Sequence, residues 1–270
     1  LTLLSSSLLF ATLSTEIICA PFAAVSQTPE AQLKLNQIQV IGTHNSYHAG
    51  IAPSETKVWQ AKYADAYRGL EYQHPPIPQQ LDAGVRQIEL DIYADTKGGL
   101  YAHPSGPAMA AAAGLPADPP FDPNGIMSKP GFKMMHIQDV DYRSNCQPFA
   151  ECLRQVRDWS HAHPEHIPIF ILVETKQGSP KGLKLTEPEH FTSSTCDALD
   201  AEIRSIFPAA EMITPDEVRG QYDTLNRAGQ LANPSECAWQ GYLPDGSASR
   251  RPRLSCWTSF ASRPRAVHGC

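Results

Sequence analysis

The sequence predicts an α/β fold, a TIM-type (β/α) barrel that is incomplete at its C-terminus. Three observations carry this expectation. Segments of strand and helix periodicity alternate along the chain, the order that builds a parallel sheet. Each long apolar strand segment ends on a polar or charged residue, as barrels require when their chemistry sits at the carboxyl ends of the strands. No Gly-x-Gly-x-x-Gly or phosphate loop follows the first strand, which counts against the rival open doubly wound sheet.

At 270 residues the chain can bury one large core. Its net charge of -6 and lack of a basic block before the C-terminal tail exclude nucleic-acid binding as its main task. Leu1 to Ala20 is an apolar, serine-rich run followed by small residues, so residues 1–27 read as an export signal and the product as secreted or periplasmic. Ser5, Ser6, Ser7, Thr12, Ser14 and Glu16 interrupt the run, so no transmembrane span is expected in the mature chain. A buried N-terminal helix is the alternative for this run, and Glu16 argues against a lipoprotein cysteine at Cys19. Export favours paired cysteines: Cys146 and Cys152 can close a small loop around Pro148, with Cys196 able to compete for either.

In chain order, Ile38 to Ile41 forms a strand that ends at Gly42 and delivers His44 and Asn45. Helical pieces follow around Glu55 to Tyr67 until Pro75-Pro76, then a short helix over Ile77 to Ala83 that Gly84 terminates. From Val85 to Tyr93, Ile88, Leu90 and Ile92 alternate with Glu89, Asp91 and Tyr93, the period of a strand. Lys97 to Gly131 is a Gly-, Pro- and Ala-rich excursion with a hairpin expected near Leu100 to His103. A strand over Phe132 to Ile137 carries His136. A helix from Pro148 to His163 places Phe149, Cys152, Leu153, Val156 and Trp159 on one face. Ile167 to Lys176 reads as a strand buried on both sides and ends on Glu174, followed by a helix over Asp197 to Ile206 and a short strand over Ala209 to Ile213.

Strand periodicity points Glu89 and Asp91 the same way. Inside a closed parallel barrel two unpaired carboxylates are costly unless a cation or donors meet them. Four strand ends therefore present His44 with Asn45, Glu89 with Asp91, His136, and Glu174. This set offers two histidines for proton transfer and four oxygen side chains for one hard cation, Ca²⁺ or Mg²⁺. His103 rivals His136 as the second histidine, Lys176 is a candidate phosphate contact, and His48, His74, His161, His163, His166 and His190 are assigned to loops or helix ends.

These residues resemble the calcium-dependent phosphoinositide-specific phospholipase C family, most closely its secreted bacterial branch. The resemblance rests on Gly42-Thr-His-Asn-Ser-Tyr-His48, Leu81 to Tyr93, Lys129-Pro-Gly-Phe-Lys-Met-Met-His136 and Pro168 to Lys176, in family order across about Gln37 to Gly220. It implies a barrel that acts on a phospholipid at a membrane surface, with an inositol hydroxyl attacking phosphorus to give cyclic inositol phosphate and diacylglycerol. It further implies that Asn45, Glu89, Asp91 and Glu174 hold Ca²⁺ in preference to Mg²⁺. His44 would stabilise transition-state charge, His136 would protonate the leaving alkoxide, and Glu89 or Asp91 would act as base.

Two alternatives stand beside it: a glycerophosphodiester phosphodiesterase-like enzyme, against which Asn-Ser after His44 argues, and a non-catalytic lipid- or sugar-binding module. The intervals from His44 to Glu89, His136 and Glu174 average about 43 residues per unit, so eight units would need roughly 340. From about Ala228 the composition turns to Arg, Ser, Pro, Trp and Cys with no Lys, Ile or Met. The chain therefore divides into 1–27, a catalytic first part of a barrel over 28–227, and an atypical tail over 228–270. A frameshift, a truncation or a disordered basic segment each accounts for that tail.

Overall fold

The structure, a computed structural model, describes residues 39–180, 182–224 and 227 together with the strand Leu254–Thr258. The segment 1–27 read as an export signal lies outside the described residues, as does 228–270 apart from that strand. Among the described residues no helix is long and apolar enough to cross a membrane.

The sheet is organised around β2, Val85–Tyr93. Its alternation does what the sequence implies: Ile88, Leu90 and Ile92 are wholly buried in the main apolar core, and Glu89, Asp91 and Tyr93 occupy the other face. β1, Ile41–Thr43, runs parallel to the start of β2, and β4, Phe170–Thr175, runs parallel along its other edge. Beyond β4 come β6, Leu254–Thr258, and β5, Met212–Ile213, each parallel to its neighbour, so the order is β1-β2-β4-β6-β5. Part of the segment after Ala228 thus joins the sheet.

Helices α3 (Ile77–Asp82), α5 (Phe149–Ala162) and α6 (Ser193–Ile206) supply the other half of the core. Phe149, Cys152, Leu153 and Val156 of α5 meet Ile171 and Val173 of β4 and Leu199 and Ile203 of α6. Each such side chain contributes about 1.5–3 kcal/mol when fully buried. α6 starts at Ser193, earlier than Asp197, because the Thr192 hydroxyl accepts from Thr195 N and caps the helix. The Cys146–Cys152 disulfide fixes the entry to α5 with Cα atoms 5.2 Å apart, and Cys196 takes no part in it. Helices α1 (Pro53–Lys62) and α2 (Ala64–Arg68) fill the stretch expected to be helical, with Trp59 and Tyr67 packed on Val140.

Three further expectations change. The segment Phe132 to Ile137 is not a parallel barrel strand: only β3, Lys133–Met134, is extended, and it pairs antiparallel with Ile92 and Tyr93. The physical reason lies in Gln147, whose side-chain amide takes both Met134 N–H and Met134 C=O, so no further strand can add there. No hairpin forms at Leu100 to His103, because Gly98 and Gly99 adopt φ of 80° and 86° and fold the chain into successive turns. Helix α4, Gly106–Ala112, follows. Finally, the described strands make an open α/β sheet that is parallel except at β3; β1 and β5 lie at opposite ends of its order.

Candidate active site

The polar face of β2 carries the site. Strand periodicity puts Glu89 and Asp91 on one side, and the parallel register of β4 pairs Asp91 with Glu174. Carboxylate oxygens of Glu89, Asp91 and Glu174 all lie within 4.8 Å of one another. Asp91 is 1% exposed, and its Oδ1 has no hydrogen-bond partner among the described residues. Its Oδ2 faces Lys176 Nζ at 3.3 Å, and the same ammonium lies 3.4 Å from Glu174 Oε1. Burial pushes the Asp91 carboxyl above its ordinary value, an effect that Lys176 and the nearby Tyr47 hydroxyl oppose and Glu174 reinforces.

The loop after β1 is tied to β2 by Ser46. Its backbone N–H donates to Glu89 O (3.0 Å), and its hydroxyl accepts from Glu89 N (2.9 Å). This places Asn45 in the left-handed region at φ 49°, a conformation asparagine tolerates. Asn45 is buried, donates from its backbone to Glu89 Oε2 (3.4 Å) and from Nδ2 to the Tyr72 hydroxyl (2.7 Å). Its Oδ1 accepts from the Tyr47 hydroxyl at 3.4 Å. His44 stands at the rim with its side chain 70% exposed and Nε2 3.9 Å from Glu89 Oε2. Its carbonyl accepts from the His74 ring at 2.8 Å, which holds the loop without engaging the His44 ring.

His136 lies just past β3 and lines a cavity of about 380 Å³ with Tyr93, Glu174, Lys176 and residues 177–180. Its Nδ1 donates to Asp141 Oδ2 (2.8 Å), and His48 Nε2 donates to Asp141 Oδ1 (2.7 Å). Burial raises the Asp141 carboxyl, but the hydrogen bonds and charges of His136 and His48 outweigh it and hold the group below its ordinary value. His103 is exposed in the turn ahead of α4 and belongs to neither cluster.

The structure thus gathers Glu89, Asp91 and Glu174, sets Asn45 and His44 against Glu89, and gives His136 a buried carboxylate partner. Sequence reasoning gave no role to Asp141 or Tyr72 and assigned His48 to a loop or helix end. His48 ends the quoted Gly42 to His48 motif and Asp141 follows His136 by five residues, but neither lies in a periodic segment. A turn sets Asp141 against His136, and an antiparallel bridge between His48 and Ser144, with Asn145 N donating to Tyr47 O, brings His48 to the same carboxylate.

A family model for Ca²⁺-dependent phosphoinositide phospholipase C matches residues 33–233. No curated protein matches the chain in sequence. Among solved structures, a calcium-dependent phosphoinositol-specific phospholipase C from a Gram-negative bacterium, Pseudomonas sp., is 16% identical with a TM-score of 0.43. That alignment covers 85% of this chain and 59% of the other. A Ca²⁺-dependent phosphatidylinositol-specific phospholipase C from Streptomyces antibioticus is 18% identical with a TM-score of 0.44, over 81% of this chain and 51% of that one. The chain therefore spans between half and six-tenths of the length of these structures. Because the family model covers well over half of its residues, the chain belongs to the Ca²⁺-dependent phosphoinositide phospholipase C family.

Proposed function

We propose that the chain carries the cation-binding and acid–base portion of a phospholipase C site that cleaves phosphatidylinositol to diacylglycerol and cyclic inositol phosphate at a membrane surface. The observation that carries this reading is the carboxylate trio, which includes the buried Asp91 whose Oδ1 has no hydrogen-bond partner among the described residues. Three oxygen side chains at this spacing fit a hard divalent cation, and an orphaned buried carboxylate oxygen is costly without one.

Asn45, Glu89, Asp91 and Glu174 would hold Ca²⁺. When bound, the cation offsets phosphate charge and lowers the pKa of a coordinated hydroxyl. Glu89 or Asp91 takes the proton from the attacking inositol hydroxyl as its oxygen bonds to phosphorus. His44, exposed at the rim, donates to a phosphoryl oxygen as charge builds there. The phosphorus–oxygen bond to diacylglycerol then breaks, and His136 delivers a proton to the leaving alkoxide from the ring nitrogen not engaged by Asp141. Lys176, beside Asp91 and Glu174 on the cavity wall, is placed to meet phosphate once the carboxylates have a cation to face.

In this reading the open sheet is the first part of a (β/α) barrel, a view supported by the helices packed on one face and the carboxylates on the other. The apolar run over Leu1 to Ala20 supports export to the outside or the periplasm. The test is release of cyclic inositol phosphate from phosphatidylinositol vesicles by the full chain, abolished by chelator and by His136→Ala. Turnover that a chelator leaves unchanged refutes the cation assignment. Ca²⁺ binding without turnover replaces the enzyme with a lipid-binding module.

A further inference from the structure

The buried group that the catalytic scheme leaves unused is Asp141 with His48. Each Asp141 oxygen is taken by one imidazole, Oδ1 by His48 Nε2 at 2.7 Å and Oδ2 by His136 Nδ1 at 2.8 Å. The carboxylate has no exposure, and neither has His48. The same tight turn holds both ends of the His136–Asp141 pair: His136 N and Ile137 N donate to Asp141 O at 3.2 and 3.0 Å, and Asp141 N donates to Ile137 O at 2.9 Å. Asp139 makes this turn possible at φ 69°.

His48 differs from His136 in one respect that decides where its hydrogen sits. Its Nδ1 is buried without a hydrogen-bond partner among the described residues. Nε2 faces a carboxylate oxygen and Nδ1 faces no acceptor, so Nε2 is the nitrogen that carries hydrogen toward Asp141. The ring packs on Tyr72 with centroids 4.4 Å apart, which holds it in place. Asp141 Oδ2 is thereby left facing His136, whose side chain is 18% exposed on the cavity.

We propose that Asp141 and His48 form a buried clamp that positions His136. The carboxylate fixes hydrogen on His136 Nδ1, so that the proton passed to a leaving group travels from Nε2. His48 holds Oδ1 and keeps Oδ2 aimed at His136. Both are positioning residues, since neither reaches the cavity. The inference deepens the phospholipase reading and rests on it for its catalytic consequence, but not for the tautomer it assigns.

The test uses the full chain and two readouts. Two-bond ¹H–¹⁵N correlation spectra of the wild type should show hydrogen on Nδ1 for His136 and on Nε2 for His48. Asp141→Asn should move the His136 hydrogen to Nε2, because the amide can donate to Nδ1. The same variant should slow cleavage of phosphatidylinositol vesicles about 10²-fold, within the range of general acid catalysis. A p-nitrophenyl phosphodiester of inositol, whose leaving group needs no proton, should slow less than about 10-fold.

His48→Gln, which can still donate to Oδ1, should keep the wild-type His136 tautomer, and His48→Leu should lose it. A wild-type His136 that lacks hydrogen on Nδ1, or equal slowing of both substrates in Asp141→Asn, overturns the proposal. If Asp141→Asn does not fold, the wild-type spectrum and His48→Gln still decide it. A wild-type chain that cleaves neither substrate refutes the phospholipase reading, while the spectrum separately shows whether Asp141 sets His136.

Discussion

Asp91→Asn should raise the stability of the chelator-treated chain and lower its response to Ca²⁺. At 4.8 Å and an effective dielectric near 20, each carboxylate pair in the trio repels by about 3.5 kcal/mol. Lys176, 3.3 Å from Asp91, attracts it by about 5 kcal/mol on the same scale. The two repulsions on Asp91 exceed that attraction by about 2 kcal/mol, which solvent at Glu174, 41% exposed, trims to about 1 kcal/mol. Burial acts in the same direction, which is why the Asp91 carboxyl is raised.

The amide keeps the shape and removes the charge, so Tm without Ca²⁺ should rise by about 2–4 °C at pH 7. Because a raised carboxyl contributes stability that is present below its unfolded value and lost as pH rises through its folded value, the advantage should fade toward about pH 4. With Ca²⁺ at about 100 times Kd the wild type should gain about 2.7 kcal/mol, or roughly 5–11 °C. Losing one charged ligand, at about 100-fold in affinity, leaves the variant a gain of about 1 °C. Differential scanning calorimetry with and without chelator measures both signs. A variant that melts lower without Ca²⁺, or that responds to Ca²⁺ as the wild type does, refutes the carboxylate trio as the cation site.

Three further outcomes follow from other parts of the fold. Gly98→Ala should cost about 1–3 kcal/mol in urea unfolding, since φ is 80° and the added Cβ would sit 2.6 Å from the backbone of Lys129; an unchanged midpoint would contradict that close approach. Reducing the Cys146–Cys152 bridge, which spans six residues, should lower Tm by about 4–8 °C, the equivalent of about 2 kcal/mol, with Cys146→Ser/Cys152→Ser reproducing the change. The Asp141 carboxyl is held below its ordinary value, so its stabilisation is present above the unfolded value near 3.9 and is lost as pH falls through the folded one. The stability gap between wild type and Asp141→Asn should therefore be widest near neutral pH and close in acid, as a series of denaturation curves would show.

Much of the site could be read from the chain because strand periodicity is local. Glu89 and Asp91 share a face for no reason other than the two-residue repeat, and Ile88, Leu90 and Ile92 fix which face goes to the helices. The helix α5 was equally legible, with Phe149, Cys152, Leu153, Val156 and Trp159 at helical spacing and all buried. The segment around His136 misled for the opposite reason. Its apolar run looks like a barrel strand, but Gln147, thirteen residues on, occupies the edge of Met134, and no local pattern announces that.

The sequence by itself determined the strand–helix alternation, the polar face of β2, and the residue types needed for a hard cation and two proton carriers. Those follow from side-chain period and chemistry, which are properties of short stretches. Only the tertiary structure decided that Glu174 pairs with Asp91, that Lys176 stands between them, that Leu254–Thr258 inserts between β4 and β5, and that Asp141 joins His48 to His136. Each of these depends on register or on a turn between distant segments, and register is set by the packing of a whole sheet, not by the residues that end up facing one another.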